Sequence, residues 1–168
     1  KKWQADMLFP DGTRKTVDID EDKSDILSNG ALVSGLKNNS GDVIPTLVTY
    51  SQSGSKYELD QIAQINSKYA GYDHHTAIPA NSYVDDGKIK KADKSTLSYI
   101  NASATVFVKY GSDDYKVVTG DNMKNWSDKN IFSGDMLTDD SDGYAYAKVA
   151  FVNTNKNPSS ADKTYAYI

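Results

Sequence analysis

Three groups of residues in this chain carry side chains suited to chemistry. The first is Asp73-His74-His75, which holds both histidines of the sequence beside a carboxylate. Imidazole and carboxylate together suit zinc or manganese. Neighbouring residues on a strand point to opposite faces, however, so adjacent histidines rarely share one ion. The further aspartate motifs that accompany Asp-His-His in phosphoesterases do not occur here, and the pair reads as solvated loop residues. The second group is Asp139-Asp140-Ser141-Asp142-Gly143. An EF-hand loop needs glycine at its sixth position and glutamate at its twelfth. Counted from Asp139 those positions hold Tyr144 and Ala150, so the EF-hand match fails. Clustered oxygens still suit a hard cation, which makes Asp139, Asp140 and Asp142 the candidate ligands of a structural calcium. The acidic turn from Asp18 to Asp25 fails the EF-hand pattern in the same way.

The third group is aromatic. Trp3, Trp126, Tyr69, Tyr72, Tyr83, Tyr99, Tyr110, Tyr115, Tyr144 and Tyr146 can stack on the C–H faces of sugar rings while Asn, Asp and Lys bond the hydroxyls. Alternating tyrosines on strands also serve as half-buried packing. Tyr69 and Tyr72, in an irregular segment, are the expected exposed pair, and Trp126 is the third candidate for ligand stacking. Catalytic patterns are missing by comparison. The sequence has no Gly-x-Ser-x-Gly elbow and no phosphate-cradling glycine loop, and its glutamates are Glu21 and Glu58. The chain is therefore expected to be no enzyme.

Bulk properties narrow the class further. The 168 residues suit one moderate domain or two small lobes. A net charge of −4 with interspersed signs argues against nucleic acid, whose partners show a basic patch or stripe. The Lys88–Lys94 run is blunted by Asp85 and Asp86 and reads as a solvated face. Cysteine is absent, which excludes disulfides, thiolate metal sites and thiol nucleophiles. With many Asn, Ser, Thr, Asp and Tyr residues, this composition fits an exported bacterial domain. No long apolar run predicts membrane insertion, and the abrupt start at Lys1-Lys2-Trp3 reads as a piece of a longer protein.

The elements that must position these groups are hairpins. Asp11-Gly12, Ser53-Gly54, Gly111-Ser112 and Asp142-Gly143 each separate runs of alternating apolar residues. The pattern predicts an all-β chain with a few short helical turns, folded as an antiparallel, hairpin-built barrel or sandwich. Its parts are an N-terminal β lobe over 1–66, an irregular connection with short strands over 67–100 and a C-terminal β lobe over 101–168, the two lobes standing separately or forming a single domain. Tyr144, Tyr146, Lys148, Ala150 and Val152 are expected on one face of a long strand, and Asp121 is the expected cap of a short helix.

The hairpin at Ala5–Asp18, the pair Leu47–Tyr50 and Lys56–Leu59, the strands Ala104–Val108 and Tyr115–Gly120, and Asp142–Val152 together resemble a known type of domain. They are similar to the repeated β-rich stalk domains of clostridial cell-surface proteins that carry S-layer homology modules. The resemblance covers most of the chain outside roughly 66–100. It implies an extracellular, cell-wall location in a Gram-positive bacterium and a structural, spacer or adhesive role. The partners it implies are neighbouring domains of the same chain and a cell-wall polysaccharide, with a dietary polysaccharide as the alternative. It carries over no functional residues. A carbohydrate-binding module using Tyr or Trp stacking is the second functional expectation.

Overall fold

The computed structural model describes residues 3–37, 39–43, 45–61, 72–127 and 130–154. The chain divides into two compact units: Lys1–Phe9 with Thr13–Asn66, and Pro10–Gly12 with Ser67–Ile168. The fold is mostly β, with a five-stranded barrel and additional small sheets.

The first unit is built from local hairpins. Strands β1 (Gln4–Leu8) and β2 (Arg14–Asp18) pair antiparallel, with Ala5 opposite Val17. Phe9 N–H donates to the Thr13 carbonyl at 2.8 Å, which leaves a three-residue loop. Gly12 alone in that loop is left-handed, at φ +90°, so it differs from a two-residue turn with two positive φ values. Strands β3 (Leu27–Ser28) and β4 (Ala31–Leu32) join through Asn29-Gly30, both left-handed. Strands β5 (Val48–Ser53) and β6 (Lys56–Gln61) form a third hairpin at Gly54. A parallel bridge between Ile19 and Tyr57 ties the first hairpin to the third. Met7, Phe9, Val17, Ile19, Tyr57 and Leu59 are among the residues of the core this encloses.

The outer edge of β6 is closed by side chains. Ser24 Oγ accepts from Leu59 N–H at 2.9 Å, and Asp25 Oδ1 accepts from Gln61 N–H at 2.6 Å. These acceptors occupy donors that would otherwise template a foreign strand. The clasp brings Asp60 close to Asp25, whose own N–H donates to Asp60 Oδ1 at 3.1 Å. Desolvation, then repulsion from Asp25 and Glu58, raises the Asp60 pKa, against a lowering contribution from that backbone bond.

The second unit holds the barrel. Strands β7 (His74–Ile78) and β8 (Ser82–Asp85) run along β12 (Asn130–Ser141) as one bent strand, with Ile78 opposite Gly134 and Ser82 opposite Ile131. The bend falls at Pro79–Asn81, where Asn81 has φ +66° and Ser82 Oγ donates to the Pro79 carbonyl at 2.6 Å. Asp86-Gly87, both left-handed, turns β8 into β9 (Lys88–Lys90). Strand β9 pairs with β10 (Thr96–Tyr110), and β10 pairs in parallel with β13 (Tyr144–Thr154). Strand β13 pairs with β12, which closes the ring. Strand β11 (Asp114–Thr119) folds back on β10 beyond the ring. With β7–β8 counted as the first strand, the order around the ring is first, second, third, fifth, fourth. The third and fifth strands are parallel, and helix α1 (Gly120–Met123) lies between the third and fourth in sequence. This is the Greek-key order of OB-type barrels.

Several sequence expectations are corrected here. Asp73-His74-His75, expected in a solvated loop, leads into β7, the first of three short strands that residues 74–90 carry within the stretch expected to be an extended connection with short strands. The all-β, hairpin-rich barrel itself is as expected, with the addition of one parallel pair whose strands lie apart in sequence. Ala147, Ala150 and Val152 are all buried while Tyr144, Tyr146 and Lys148 are not, so the strand does not keep one face. The register passes from Leu137 opposite Val149 to Thr138 opposite Ala147, so Lys148 is one extra residue on β13 and flips its alternation. The helix cap is Thr119, whose Oγ1 accepts from Asn122 N–H at 3.2 Å, and Asp121 lies inside the helix.

Helix α1 presses on the strand beneath it. A Cβ on Gly120 would stand 1.8 Å from the Asn101 carbonyl oxygen, a distance no side chain can occupy. Met123 and Trp126 then join Ile89, Val106, Val108, Ile131, Met136 and Val152 in the core.

Gly120→Ala destabilises the barrel by about 1–3 kcal/mol, the range of core overpacking. Denaturant unfolding followed by Trp126 fluorescence in a Trp3→Phe background measures it, and an unchanged midpoint would refute the close approach. Asp60→Asn keeps the acceptor for Asp25 N–H but removes the charge. Folding raises the Asp60 pKa, so its penalty is present above the folded pKa and fades as pH falls toward the ordinary 3.8. The variant is then more stable than the parent at pH 7, with the difference closing in acid, as read by urea denaturation at both pH values.

Candidate functional site

The outer wall of the barrel carries one row of side chains across four strands. Register places Lys88 on β9 beside Tyr99 on β10, Tyr99 beside Tyr146 on β13, and Tyr146 opposite Asp139 on β12. Ser98 and Ile100 point into the core, so the alternation of β10 puts Tyr99 outside. Tyr144, two residues before Tyr146, adds a third ring to the same face. The Tyr99 and Tyr144 centroids are 5.2 Å apart at 66°, and those of Tyr99 and Tyr146 are 5.4 Å apart at 36°. Edge-to-face and tilted pairs of this kind suit the ring quadrupole. Lys88 Nζ lies 5.5 Å from the Tyr99 centroid and covers that ring. Tyr144 is 53% exposed and presents the open surface of the group.

A polar cleft of about 490 Å³ borders this row, lined by Asp73, Asn101, Asp139, Asp140, Ser141, Tyr146 and Lys148. Its size falls in the range of small-molecule sites. Tyr146 belongs to both the aromatic row and the cleft.

The acidic wall of the cleft is held by its own backbone. Asp73 N–H lies 3.0 Å from Asp139 Oδ1 and 3.1 Å from the Thr138 carbonyl, and Asp140 N–H donates to Asp73 Oδ2 at 3.1 Å. Lys148 Nζ stands 3.7 Å from Asp139 Oδ2. His74 Nε2 lies 2.9 Å from Asp140 Oδ2, and His75 Nε2 lies 3.0 Å from Asp135 Oδ1. The two histidines thus engage different carboxylates, as expected of neighbours on a strand. At the hairpin that delivers Lys88, Lys90 Nζ donates to Asp85 at 3.0 Å, and this bond raises the Lys90 pKa.

The candidates read from the sequence are distributed unevenly. Tyr69 lies outside the described residues. Tyr72 is half-buried just before β7. Trp126 is 2% exposed, and its Nε1 donates to Asn122 Oδ1 at 3.0 Å inside the core. It therefore has no ring face for a ligand. Asp139 and Asp140 both line the cleft, whereas Asp142 sits at the hairpin tip with φ +54°. Among the described residues, no three histidine or acidic side chains are grouped to hold a metal ion. No helix among them is long and apolar enough to cross a membrane. In the sequence Lys88 belongs to a run that reads as a solvated face, Lys148 is one residue of a strand face, and Asn101 carries no signal. The Asp86-Gly87 turn signals the hairpin that carries Lys88, but the bulge at Asn101 has no sequence signature. Compared with protein-family models, curated proteins and solved structures, the chain matches none.

Trp126→Ala, which empties a packed core site, costs the barrel about 3–5 kcal/mol. Thermal unfolding by circular dichroism measures it, and a folded variant of unchanged stability would return Trp126 to the surface.

Proposed function

We propose that this chain is a non-enzymatic adhesive or spacer domain of a bacterial cell-surface protein of the S-layer type, and that its barrel wall holds a polysaccharide. One observation carries the binding part: an exposed tyrosine group continuous with a polar cleft on the same wall. Aromatic faces carry negative potential and accept sugar C–H groups. Carboxylates accept from hydroxyls, lysine donates to them, and asparagine and serine do both. OB-type barrels use the face of their second and third strands for oligonucleotides and oligosaccharides. Lys88 and Tyr99 lie on those two strands. Fold alone does not carry a function, and here charge discriminates between the two ligands. The cleft offers three carboxylates against one ammonium, a surface that repels phosphates. The polysaccharide reading is therefore favoured over nucleic acid.

The spacer part rests on the resemblance to clostridial stalk domains and on the hairpin-built design. Its partners would be neighbouring domains of the same chain, at an extracellular, wall-associated location.

The test is depletion of the protein from solution by insoluble Gram-positive cell wall, starch, cellulose or chitin. Tyr144→Ala and Tyr146→Ala are expected to abolish depletion by the polymer that binds, while leaving the circular dichroism spectrum unchanged. Absence of depletion by all four polymers would leave only the spacer role.

A further inference from the structure

We infer that the barrel wall is a two-subsite groove for an uncharged oligosaccharide of at least two rings, with Tyr146 shared between the subsites. This inference rests on the polysaccharide reading above and adds the length and charge class of the ligand. The outer subsite is Tyr144 with Tyr146, steadied by Tyr99, whose other neighbour is the Lys88 ammonium. It offers ring surface and little polar recognition. The inner subsite is the cleft beyond Tyr146, where Asp73, Asn101, Asp139 and Lys148 supply donors and acceptors. It offers polar recognition and one aromatic wall. A single ring fills one subsite and leaves the other unused: in the cleft it meets the polar groups and Tyr146 alone, and on the outer rings it meets little polar recognition. A chain of two or more rings gains both, because the second contact is made at the high effective concentration of a linked group.

The charge class follows from the same residues. Three carboxylates line the cleft, and its lysine lies 3.7 Å from one of them. A uronic acid or phosphate in the inner subsite would face three carboxylates against one ammonium that already stands beside Asp139. Hydroxyl and acetamido groups are both donors and acceptors or dipolar, and they carry no such cost.

The experiment titrates the intact chain with malto-, cello- and N-acetylglucosamine oligomers from one to six rings, with oligogalacturonate as the anionic probe. Two-dimensional amide NMR reads both affinity and place. In one uncharged series, affinity is expected to rise at least about tenfold from one ring to three and then level off. The trisaccharide shifts amides of Tyr99 and Tyr144 together with those of Asp139 and Lys148. Tyr144→Ala removes the gain with length, and Lys148→Gln weakens all lengths; both positions are exposed enough for the fold to persist, which the same spectra verify. Equal affinity for one and three rings, shifts confined to one subsite, or equal binding of oligogalacturonate would overturn the inference while the polysaccharide reading stands. Depletion by an insoluble polymer with no binding of any soluble oligomer would do the same. Failure of polymers and oligomers alike would overturn both.

Discussion

The barrel depends on the bend in β10. Its first half pairs with β9 and its second half with β11, while β13 runs beside both halves. A straight strand cannot serve these partners and close a ring of five. The register shift between Ile100 and Thr105 provides the bend, and Asn101 stabilises it by accepting from Ser103 N–H and Oγ. Gly120 then packs directly on the Asn101 carbonyl, which lets Met123 and Trp126 reach the core. The same residue that caps the bulge also lines the cleft. Closure of the fold and the shape of the site are thus set at one position.

This bend also marks where the sequence stops being readable. Hairpins are legible because turn chemistry is local. Asp142-Gly143 takes two left-handed residues as its dipeptide suggests, and so does Asp86-Gly87 inside a stretch that reads as a charge run. The parallel pairing of β10 with β13 joins segments some forty positions apart in sequence. Its loop-closure cost and its reward of buried Val106, Val108, Ala150 and Val152 are tertiary quantities with no local signature. Bulges have the same effect on face assignment. Strict alternation along Tyr144–Val152 predicts Tyr146 and Ala150 on one face, and one extra residue within that strand, Lys148, is enough to separate them. Trp126 shows the limit from the other side. Nothing in its neighbours distinguishes a surface tryptophan from a core one, and the hydrogen bond to Asn122 is what makes burial of its indole N–H tolerable.

The carboxylates of the cleft act first as structure. Asp73, Asp139 and Asp140 exchange bonds with one another's backbone, and this fixes the start of β7 to the end of β12. An equivalent device closes the other unit, where Ser24 and Asp25 cap the free donors of β6. In both places a short polar segment replaces a missing strand. The difference lies in what adjoins the clasp. Beside β6 the clasp serves to cover an edge, whereas beside β12 it forms the wall of a cleft next to exposed rings. Carboxylates already ordered by the fold lose little further freedom on meeting a ligand, which is the condition for useful affinity from a small polar site.

The core of the barrel is packed without Tyr144. Its ring is half exposed and lies outside the core cluster. Tyr99 contributes its edge-to-face partner rather than covering it, so the group stays open to solvent on the Tyr144 side. Single exposed aromatics are ordinary on protein surfaces. Three rings in contact across two strands, with a lysine at one end and a polar cleft at the other, form a more specific arrangement than packing requires. The strand order accounts for this placement. Parallel pairing of β10 with β13 brings Tyr99 level with Tyr146, and the antiparallel return of β12 brings Asp139 level with both. The crossover that makes the barrel difficult to read from sequence is therefore what assembles its candidate binding surface.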